Sequence, residues 1–315
     1  MKGFIAIDGG GSKTELVLCD LTGHIYVHMF TDSTNPNDIG LKECLATLKS
    51  AIKRLLDRAK KYNLIVESVL LAIAGVEFGD TIDNIKNHLL QTLNISNINI
   101  VGDLASVVEM NLSSLDTGVV LISGTGFNMA FKENKKISTI GGWGYLVDNY
   151  LSGFDLGKDA LVAASKSIDG IGKKTCLVKM LEKYFSNSLW YSMDEIYKSG
   201  IKGVAKLSKL LIEAYLKDDE VAKEIIETRV NNLASVIKKK SKNKPCDIYL
   251  CGGLIENNSC LVKLLNETLD YKYNLIVSNK RVIYGASLLA VKSMKATLEK
   301  SFQDNFNTSY KELLK

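Results

Sequence analysis

The 315-residue sequence has few of the residues that mark several large classes of protein. It has only 3 histidines, and its 6 cysteines are scattered without a Cys-x-x-Cys pair, so neither a zinc site nor a disulfide framework is expected. No stretch approaches the roughly 20 apolar residues of a membrane span, and the first residues lack the apolar region of a secretory signal. These absences predict a reduced, cytoplasmic protein that does not bind a membrane.

The sequence also lacks a strong charge of one sign and a flexible linker. Its 40 basic and 35 acidic side chains leave a net charge of +5, which is too dilute over this length to indicate nucleic-acid binding. Its two prolines are Pro36 and Pro245, so no proline-rich linker divides the chain. The length exceeds one ordinary hydrophobic core and suits two domains of roughly 150 residues each.

The order of the predicted elements repeats along the chain. Short segments rich in β-forming residues, divided by glycine turns, predict strands over 4–8, 15–20 and 25–30, followed by helical spacing from residue 41. The same pattern returns over 118–122, 128–132 and 136–140, again followed by helices. This duplication predicts two similar α/β domains, residues 1–114 and 115–315, with a ligand cleft between them. The last helix, about 301–315, would either pack back on the first domain or help to form a homodimer.

The first motif that carries chemistry is a glycine-rich turn between the first two strands, Asp8-Gly9-Gly10-Gly11-Ser12-Lys13-Thr14. The glycines let main-chain amides approach an anion, and Ser12, Lys13 and Thr14 add donors and charge. A strand follows this turn, whereas a helix follows a Walker A loop or a dinucleotide fingerprint. An ordinary tight turn would explain the glycines but not the acid in front of them. The segment therefore predicts a phosphate-binding hairpin.

A carboxylate near the end of a later strand has two interpretations. Asp103 follows the predicted strand 98–101 and precedes a helix, so it is either a catalytic base or a helix N-cap. The local sequence alone favours the cap. Two further glycine turns favour the catalytic interpretation, because they also allow a phosphate to approach the chain: Ser123-Gly124-Thr125-Gly126-Phe127-Asn128, and Gly252-Gly253 after the strand 247–251.

These motifs, in this order and on a duplicated frame, resemble the superfamily of sugar kinases, actin and heat-shock chaperone ATPases. More closely, the chain resembles the family of N-acetylglucosamine kinases and BadF/BadG-type ATPases. The likeness spans nearly the whole chain and rests on residues 8–14, Ser33-Thr34-Asn35-Pro36-Asn37, Gly102-Asp103, residues 123–128, Gly141-Gly142-Trp143-Gly144, Gly252-Gly253 and Gly285-Ala286-Ser287-Leu288-Leu289. It implies an α/β fold of two duplicated ribonuclease-H-like (actin-like ATPase) domains, and a kinase that uses ATP and Mg²⁺ to phosphorylate an amino sugar.

The resemblance also implies roles for particular residues. Asp103 would be the base that takes the proton of the attacking 6-hydroxyl, and Asp8 would orient Mg²⁺ through water. The residues expected to bind ATP are Gly10, Gly11, Ser12, Lys13, Thr14, Thr125, Ala205, Gly252 and Gly253. The residues expected to bind the sugar are Asn35, Asp103, Gly126, Phe127, Asn128, Gly142, Trp143, Gly144, Tyr145, Leu146, Asp148 and Asn149.

One segment departs from the family pattern. The family continues to Gly-Asp-Glu-Gly-Ser-Gly, and an ungapped alignment places its sugar-binding Asp on Asn149 and its Glu on Tyr150, with Asp148 one position early. Either Asp148 or Asn149 would then contact the sugar. Replacement of two carboxylates by Asn and Tyr leads to the hypothesis that the substrate is an anionic relative such as N-acetylmuramic acid.

Two other functions remain open. An ATPase that activates an acyl-CoA dehydratase or reductase through a shared [4Fe–4S] cluster needs cysteine thiolates near the glycine turns, and no cysteine lies between Cys44 and Cys176. A non-catalytic sugar sensor would explain the altered segment, but it has no need of an intact Asp103.

Overall fold

The structure is a computed structural model that describes residues 1–77 and 79–314. Phe78 and Lys315, which fall within the predicted domains 1–114 and 115–315, lie outside the described residues. The chain forms two compact units: unit 1 consists of Met1–Ser113 and Asn279–Lys315, and unit 2 consists of Ser114–Ser278. Among the described helices, none is long and apolar enough to cross a membrane.

The secondary structure of the first part of the chain is, in order, β1 (Lys2–Gly9), β2 (Thr14–Asp20), β3 (Ile25–Thr31), α1 (Pro36–Ile39), α2 (Leu41–Lys61), β4 (Ile65–Ile73), α3 (Thr81–Thr92), β5 (Ile98–Gly102) and α4 (Asp103–Leu112). Unit 2 contains β6 (Thr117–Ser123), β7 (Phe127–Glu133), β8 (Lys136–Gly141), α5 (Gly153–Ile168), α6 (Leu177–Phe185), α7 (Met193–Lys206), α8 (Ser208–Leu216), α9 (Glu220–Lys240), β9 (Asp247–Cys251), α10 (Gly253–Glu256), α11 (Ser259–Thr268) and β10 (Asn274–Val277). The chain then returns to unit 1 as α12 (Val282–Ser293) and α13 (Phe302–Leu313).

The two sheets have the same topology. The sheet of unit 1 has the strand order β3-β2-β1-β4-β5, and that of unit 2 has β10-β9-β6-β7-β8, which is the same order read from the other edge. In each sheet the first three strands are antiparallel neighbours, and the later two run parallel to the first. The predicted duplication of the α/β pattern is confirmed.

The two faces of the first sheet are covered by different helices. Side chains alternate along a strand, so Ile5 and Ile7 of β1 point to one face and pack with Leu48 and Ile52 of α2. On the opposite face Phe4 stacks on Phe302 of α13, with ring centroids 6.5 Å apart. Asp8 of β1 has the same alternation as Phe4 and lies on the face that α13 covers.

The last two helices complete unit 1. The main-chain N–H of Ile25 in β3 donates to the Ser309 hydroxyl of α13 at 3.0 Å. A side chain at Gly285 of α12 would overlap the main-chain carbonyl of Ser106, so α12 and α4 cross in close contact. Residues from Asn279 onward therefore pack with the first part of the chain. The sequence boundary at 115 placed α12 in the second domain, and the sequence left open whether the last helix packs back on the first domain.

Helices α5 to α9 form the bulk of unit 2 beside its sheet. The helices expected after the second set of strands are these five, which lie between Gly153 and Lys240. A side chain at Gly157 of α5 would overlap the main-chain carbonyl of Val204 in α7, so glycine is required where the two helices cross.

Candidate active site

Three parallel strands of unit 1 end at one edge of the sheet. In the β-ladder register, Gly9 of β1 lies beside Ile73 of β4, and Ile73 lies beside Gly102 of β5. The carboxyl ends of parallel strands are the usual place for ligand sites in α/β proteins. The register therefore brings the first glycine turn and Asp103, which sequence separates by almost a hundred residues, to the same edge.

The turn at residues 10–13 connects β1 and β2 as a tight hairpin. The N–H of Gly10 donates to the carbonyl of Lys13 at 3.1 Å, and Ser12 and Lys13 are exposed. Thr14 is buried, and its hydroxyl lies 2.9 Å from that of Thr34. Ser12 and Lys13 are thus accessible to an anion, while the Thr14 side chain holds the hairpin against the segment that follows β3.

Asn35 lies at the same edge of the sheet. Its side chain accepts a hydrogen bond from the N–H of Asn37 at 3.0 Å and caps the short helix α1. Gly75, just after β4, has a φ of +80°, and a side chain there would overlap Asn35 Oδ1. The close approach of these two segments brings the Asn35 amide to the end of β4.

The predicted base, Asp103, and the predicted Mg²⁺ residue, Asp8, both have raised pKa values. Burial, together with the charges of Glu15 and Asp103, raises the pKa of Asp8 to about 7 against the opposing charge of Lys13. Burial and the nearby charge of Glu77 raise the pKa of Asp103 to about 6, although the N–H of Leu104 donates to its carboxylate at 2.8 Å. A carboxyl group that ionises near neutral pH is suited to accepting a proton.

Two further acids at this site were missed by the sequence analysis. A side chain at Gly102 would overlap Glu77 Oε1, so this carboxylate lies beside Asp103. Glu15 is the cross-strand partner of Asp8 and accepts from the Tyr310 hydroxyl at 2.5 Å. The position of Glu77 just after β4 was a usable signal, because strand ends carry site residues; nothing local indicated the Glu15–Tyr310 contact.

The buried side chains of Glu15, His28 and Tyr310 form one hydrogen-bonded cluster. His28 Nε2 lies 2.8 Å from the oxygen of Glu15 that also receives the Tyr310 hydroxyl. Burial opposes ionisation of Glu15, but the hydrogen bonds from His28 and Tyr310 outweigh it and lower the pKa of Glu15. The cluster therefore keeps Glu15 ionised in β2, next to the phosphate hairpin.

The second glycine hairpin joins β6 and β7 and is held by the start of α5. The N–H of Gly124 donates to the carbonyl of Gly126 at 3.0 Å. The N–H groups of Gly153 and Phe154 donate to the carbonyls of Gly124 and Thr125 at 2.7 and 3.0 Å. Helix α5 thus fixes the hairpin, and Thr125 and Gly126 remain exposed at its tip.

The other residues expected to bind ATP lie around this hairpin. Gly252 has a φ of +97°, and a side chain there would lie 2.6 Å from the Ser123 carbonyl. A side chain on Gly124 would lie 4.0 Å from the Gly253 nitrogen, and one on Gly153 would lie 3.4 Å from the methyl group of Ala205. The structure thus brings Thr125, Ala205, Gly252 and Gly253 to one corner of unit 2.

The start of β7 presents one of its two predicted sugar-binding side chains to the core. The ring of Phe127 is buried and stacks on Tyr150, with centroids 4.6 Å apart, so its side chain is a core contact. Asn128 is partly buried, and within the described part of the chain its Oδ1 has no hydrogen-bond donor. A buried acceptor of this kind is often completed by a ligand or water. The amide of Asn128 faces Gly142, where a side chain would lie 3.0 Å from Nδ2.

Residues 142–148, which lead into the segment that departs from the family pattern, form an exposed turn held by Asp148. Trp143, Tyr145 and Leu146 are exposed, and Leu146 keeps 83% of its surface accessible. The carboxylate of Asp148 accepts the N–H of Gly144 at 3.1 Å and also interacts with the N–H groups of Gly142 and Trp143.

Asn149 has a different partner from Asp148. Its Oδ1 accepts a hydrogen bond from Arg229 Nη1 at 2.5 Å, so Asp148 holds the turn and Asn149 contacts α9. Sequence analysis left these two residues as alternatives for sugar contact, and the structure gives each a distinct internal partner.

The acidic residues at the edge of unit 1 fit a loosely held divalent cation. Within the described residues, no three His, Cys, Asp or Glu side chains are grouped as a metal site. Asp8 is the carboxylate that would hold the ion, with water and phosphate oxygens as the other ligands, which is a common arrangement for Mg²⁺. Burial and then repulsion from Glu15 and Asp103 raise the pKa of Asp8, and a cation there would relieve the repulsion.

Two duplicated α/β units, each with a glycine hairpin between its first two strands, define the actin-like ATPase fold that sugar kinases share. The crystal structure of a candidate N-acetylglucosamine kinase from Chromobacterium violaceum superposes with a TM-score of 0.73 at 18% identity, covering 92% of this chain and 99% of that one. The expected fold class is confirmed.

The chain belongs to the BadF/BadG/BcrA/BcrD ATPase family, whose model matches residues 5–290. The N-acetylmuramic acid/N-acetylglucosamine kinase of Clostridium acetobutylicum is 28% identical over 305 residues, which cover 92% of this chain and 98% of that protein. The N-acetyl-D-glucosamine kinase of Dictyostelium discoideum is 29% identical over 315 residues, covering 93% and 98%. The family expected from the motifs is confirmed.

Proposed function

We propose that the protein is an ATP-dependent kinase that phosphorylates the 6-hydroxyl of an N-acetylated amino sugar, N-acetylglucosamine or N-acetylmuramic acid. The comparisons confirm the enzyme class, a sugar kinase. The observation that carries the finer proposal is Asp103, a carboxyl group whose pKa is raised to about 6 at the strand edge that also carries the phosphate hairpin.

Asp103 is the base in this proposal. At pH 7 and above most of its carboxyl group is ionised, and the adjacent charge of Glu77 makes the carboxylate a stronger proton acceptor. The N–H of Leu104 orients the group at the start of α4. The carboxylate takes the proton of the sugar hydroxyl as that oxygen bonds to the γ-phosphorus of ATP, and the bond from this phosphorus to the bridging oxygen breaks to release ADP.

The phosphate groups are held by the glycine turns. Exposed Ser12 and Lys13 in unit 1, and Thr125 with the Gly252-Gly253 turn in unit 2, supply donors and charge. Phosphoryl transfer leaves little covalent work to the protein, so catalysis rests on positioning and on neutralising charge. When bound near Asp8, Mg²⁺ supplies part of that neutralisation.

The sugar is held in this proposal by Asn35, by Asn128 and by the turn at residues 142–146. Asn128 Oδ1, buried without a donor in the described structure, accepts from a hydroxyl or amide group of the sugar. The family's two acids are Asn149 and Tyr150 here, which removes negative charge and favours a substrate with an anionic lactyl group. The relative from Clostridium acetobutylicum, which carries N-acetylmuramic acid in its name, supports this choice.

An ADP-release assay with Mg-ATP tests the proposal. N-acetylglucosamine, N-acetylmuramic acid, glucosamine and a sample without sugar are compared, and the position of the phosphate on the product is determined by NMR. We expect release that depends on an N-acetylated sugar and a 6-phosphate product. Release that is equal without sugar would contradict the kinase, and exclusive use of N-acetylglucosamine would remove the argument for the lactyl group.

A further inference from the structure

Helix α9 carries a buried arginine that binds two separate segments of unit 2. Arg229 is only 9% exposed. Its Nε and Nη2 donate to the two carboxylate oxygens of Asp159 in α5 at 2.7 and 2.9 Å, which is a bidentate ion pair. The pair fixes the plane and the position of the guanidinium group between α5 and α9.

The remaining nitrogen of the guanidinium group faces the segment that departs from the family pattern. Nη1 donates to Asn149 Oδ1 at 2.5 Å and to the main-chain carbonyl of Tyr150 at 3.3 Å. The ion pair with Asp159 does not need these contacts, because its two hydrogen bonds use the other two nitrogens. The contacts instead connect a rigid arginine to the two residues that follow Asp148.

Asp148 extends this connection to the exposed turn. Its carboxylate is held by the N–H groups of residues 142–144, and Gly142 in turn lies against the amide of Asn128. A continuous series of contacts therefore runs from Asp159 through Arg229 and Asn149 to the residues proposed to bind the sugar.

We infer that Arg229 and Asp159 are positioning residues: they fix residues 149 and 150 and, through Asp148, the proposed sugar-binding turn at residues 142–146. The inference rests on the proposed function of that segment. In this inference neither Arg229 nor Asp159 touches the substrate. Arg229 acts through Asn149 and the Tyr150 carbonyl. Because misplacement of a substrate-holding segment by about 1 Å can cost as much as 10²-fold, the pair determines affinity for the sugar.

The surroundings of Arg229 allow a direct test by chemical rescue. A cavity of about 460 Å³ adjoins it, and Asn149, Asp159, Val162, Ile225 and Lys173 are among its lining residues. Truncation to Arg229→Ala would open the guanidinium position to this cavity, where a free guanidinium ion can bind Asp159. Lys173→Ala is the matched control, since Lys173 lines the same cavity and pairs with Glu224 of α9.

Steady-state kinetics with the preferred sugar are measured for wild type, Arg229→Ala, Arg229→Lys and Lys173→Ala, with melting temperatures alongside. For Arg229→Ala we expect KM for the sugar to rise about 10- to 100-fold, with KM for ATP nearly unchanged. Millimolar guanidinium chloride should restore much of that loss, and Arg229→Lys should recover little because lysine cannot form the bidentate pair. Lys173→Ala should match wild type and should not respond to guanidinium.

Two results would overturn the inference: a folded Arg229→Ala protein with wild-type KM for the sugar, or equal losses in both substrates without rescue. If Arg229→Ala does not fold, Asp159→Asn keeps the shape of the pair with one charge removed, and the same rise in KM for the sugar is expected. A wild-type protein that phosphorylates no sugar would contradict the proposed function itself, which separates the two failures.

Discussion

Replacement of Asp103 by asparagine should make the protein less active and more stable at the same time. Burial raises the pKa of this carboxyl group from 3.8 to about 6 in the folded chain. One pKa unit corresponds to about 1.4 kcal/mol, so the ionised carboxylate costs at most about 3 kcal/mol of folding free energy. Asparagine has nearly the same shape, and its oxygen can still accept the Leu104 N–H, so the variant is relieved of this cost.

The sign of the pH dependence follows from the direction of the shift. The folded state binds this proton more tightly than the unfolded state, so the penalty is complete above about pH 7 and fades as pH falls through about 6 towards 3.8. Urea unfolding should therefore show Asp103→Asn more stable than wild type at pH 8, with the difference almost gone at pH 4.

Activity should change in the opposite direction. Loss of a general base costs about 10²- to 10⁴-fold in rate, and wild-type kcat/KM should decline below about pH 6 as Asp103 takes up a proton. Asp83→Asn, on the exposed first turn of α3, is the matched control and should alter neither property. An Asp103→Asn protein that is active, or that is less stable than wild type at pH 8, would refute the reasoning.

Three other substitutions test the fold and the site. Glu15→Gln should lower the free energy of unfolding by about 1–3 kcal/mol at pH 7. The fold lowers the pKa of Glu15 from its ordinary 4.5, so the ionised carboxylate stabilises the protein above pH 4.5 and this stabilisation is lost as the pH falls through the folded pKa. The urea unfolding curves of variant and wild type should therefore converge in acid. Gly157→Ala, whose added methyl group would overlap the Val204 carbonyl, should cost about 1–3 kcal/mol in thermal melts, whereas Lys158→Ala beside it should change little. Asn128→Ala should raise KM for the sugar. Its stability cost should be below about 1 kcal/mol, because within the described residues Oδ1 accepts no hydrogen bond that the substitution would remove. A large loss of stability with unchanged KM would contradict the assignment of Asn128 to the sugar.

The sheets and both hairpins were predictable because their signals are local. Strand alternation and the glycines at 9–11, 124 and 126 occur within short windows, and the repeated order of elements indicated the duplication. The parallel register of β1, β4 and β5, which places Asp103 beside the first hairpin, was not predicted from the sequence and is seen in the structure.

The side-chain contacts that tune the site were not predictable. Glu15 and Tyr310 are 295 residues apart in sequence, and Arg229 and Asn149 are 80 apart. Neither pair has a spacing that follows a helix or strand period, so only the packed fold reveals it. The same reason explains the boundary of unit 1: α12 is an ordinary apolar helix in sequence, and its crossing with α4 depends on Gly285 lying against the Ser106 carbonyl.

Because residues 279–315 belong to unit 1, the two units can finish folding at different times during synthesis. Unit 2 is continuous and can complete its sheet as soon as β10 has left the ribosome, while unit 1 is still waiting for its last two helices. Until then Phe4 lacks its partner Phe302, and Glu15 lacks the hydroxyl of Tyr310. A nascent chain that stops before α13 would thus hold a folded unit 2 and an incomplete unit 1, in which Glu15 beside the phosphate hairpin lacks its hydrogen bond from Tyr310.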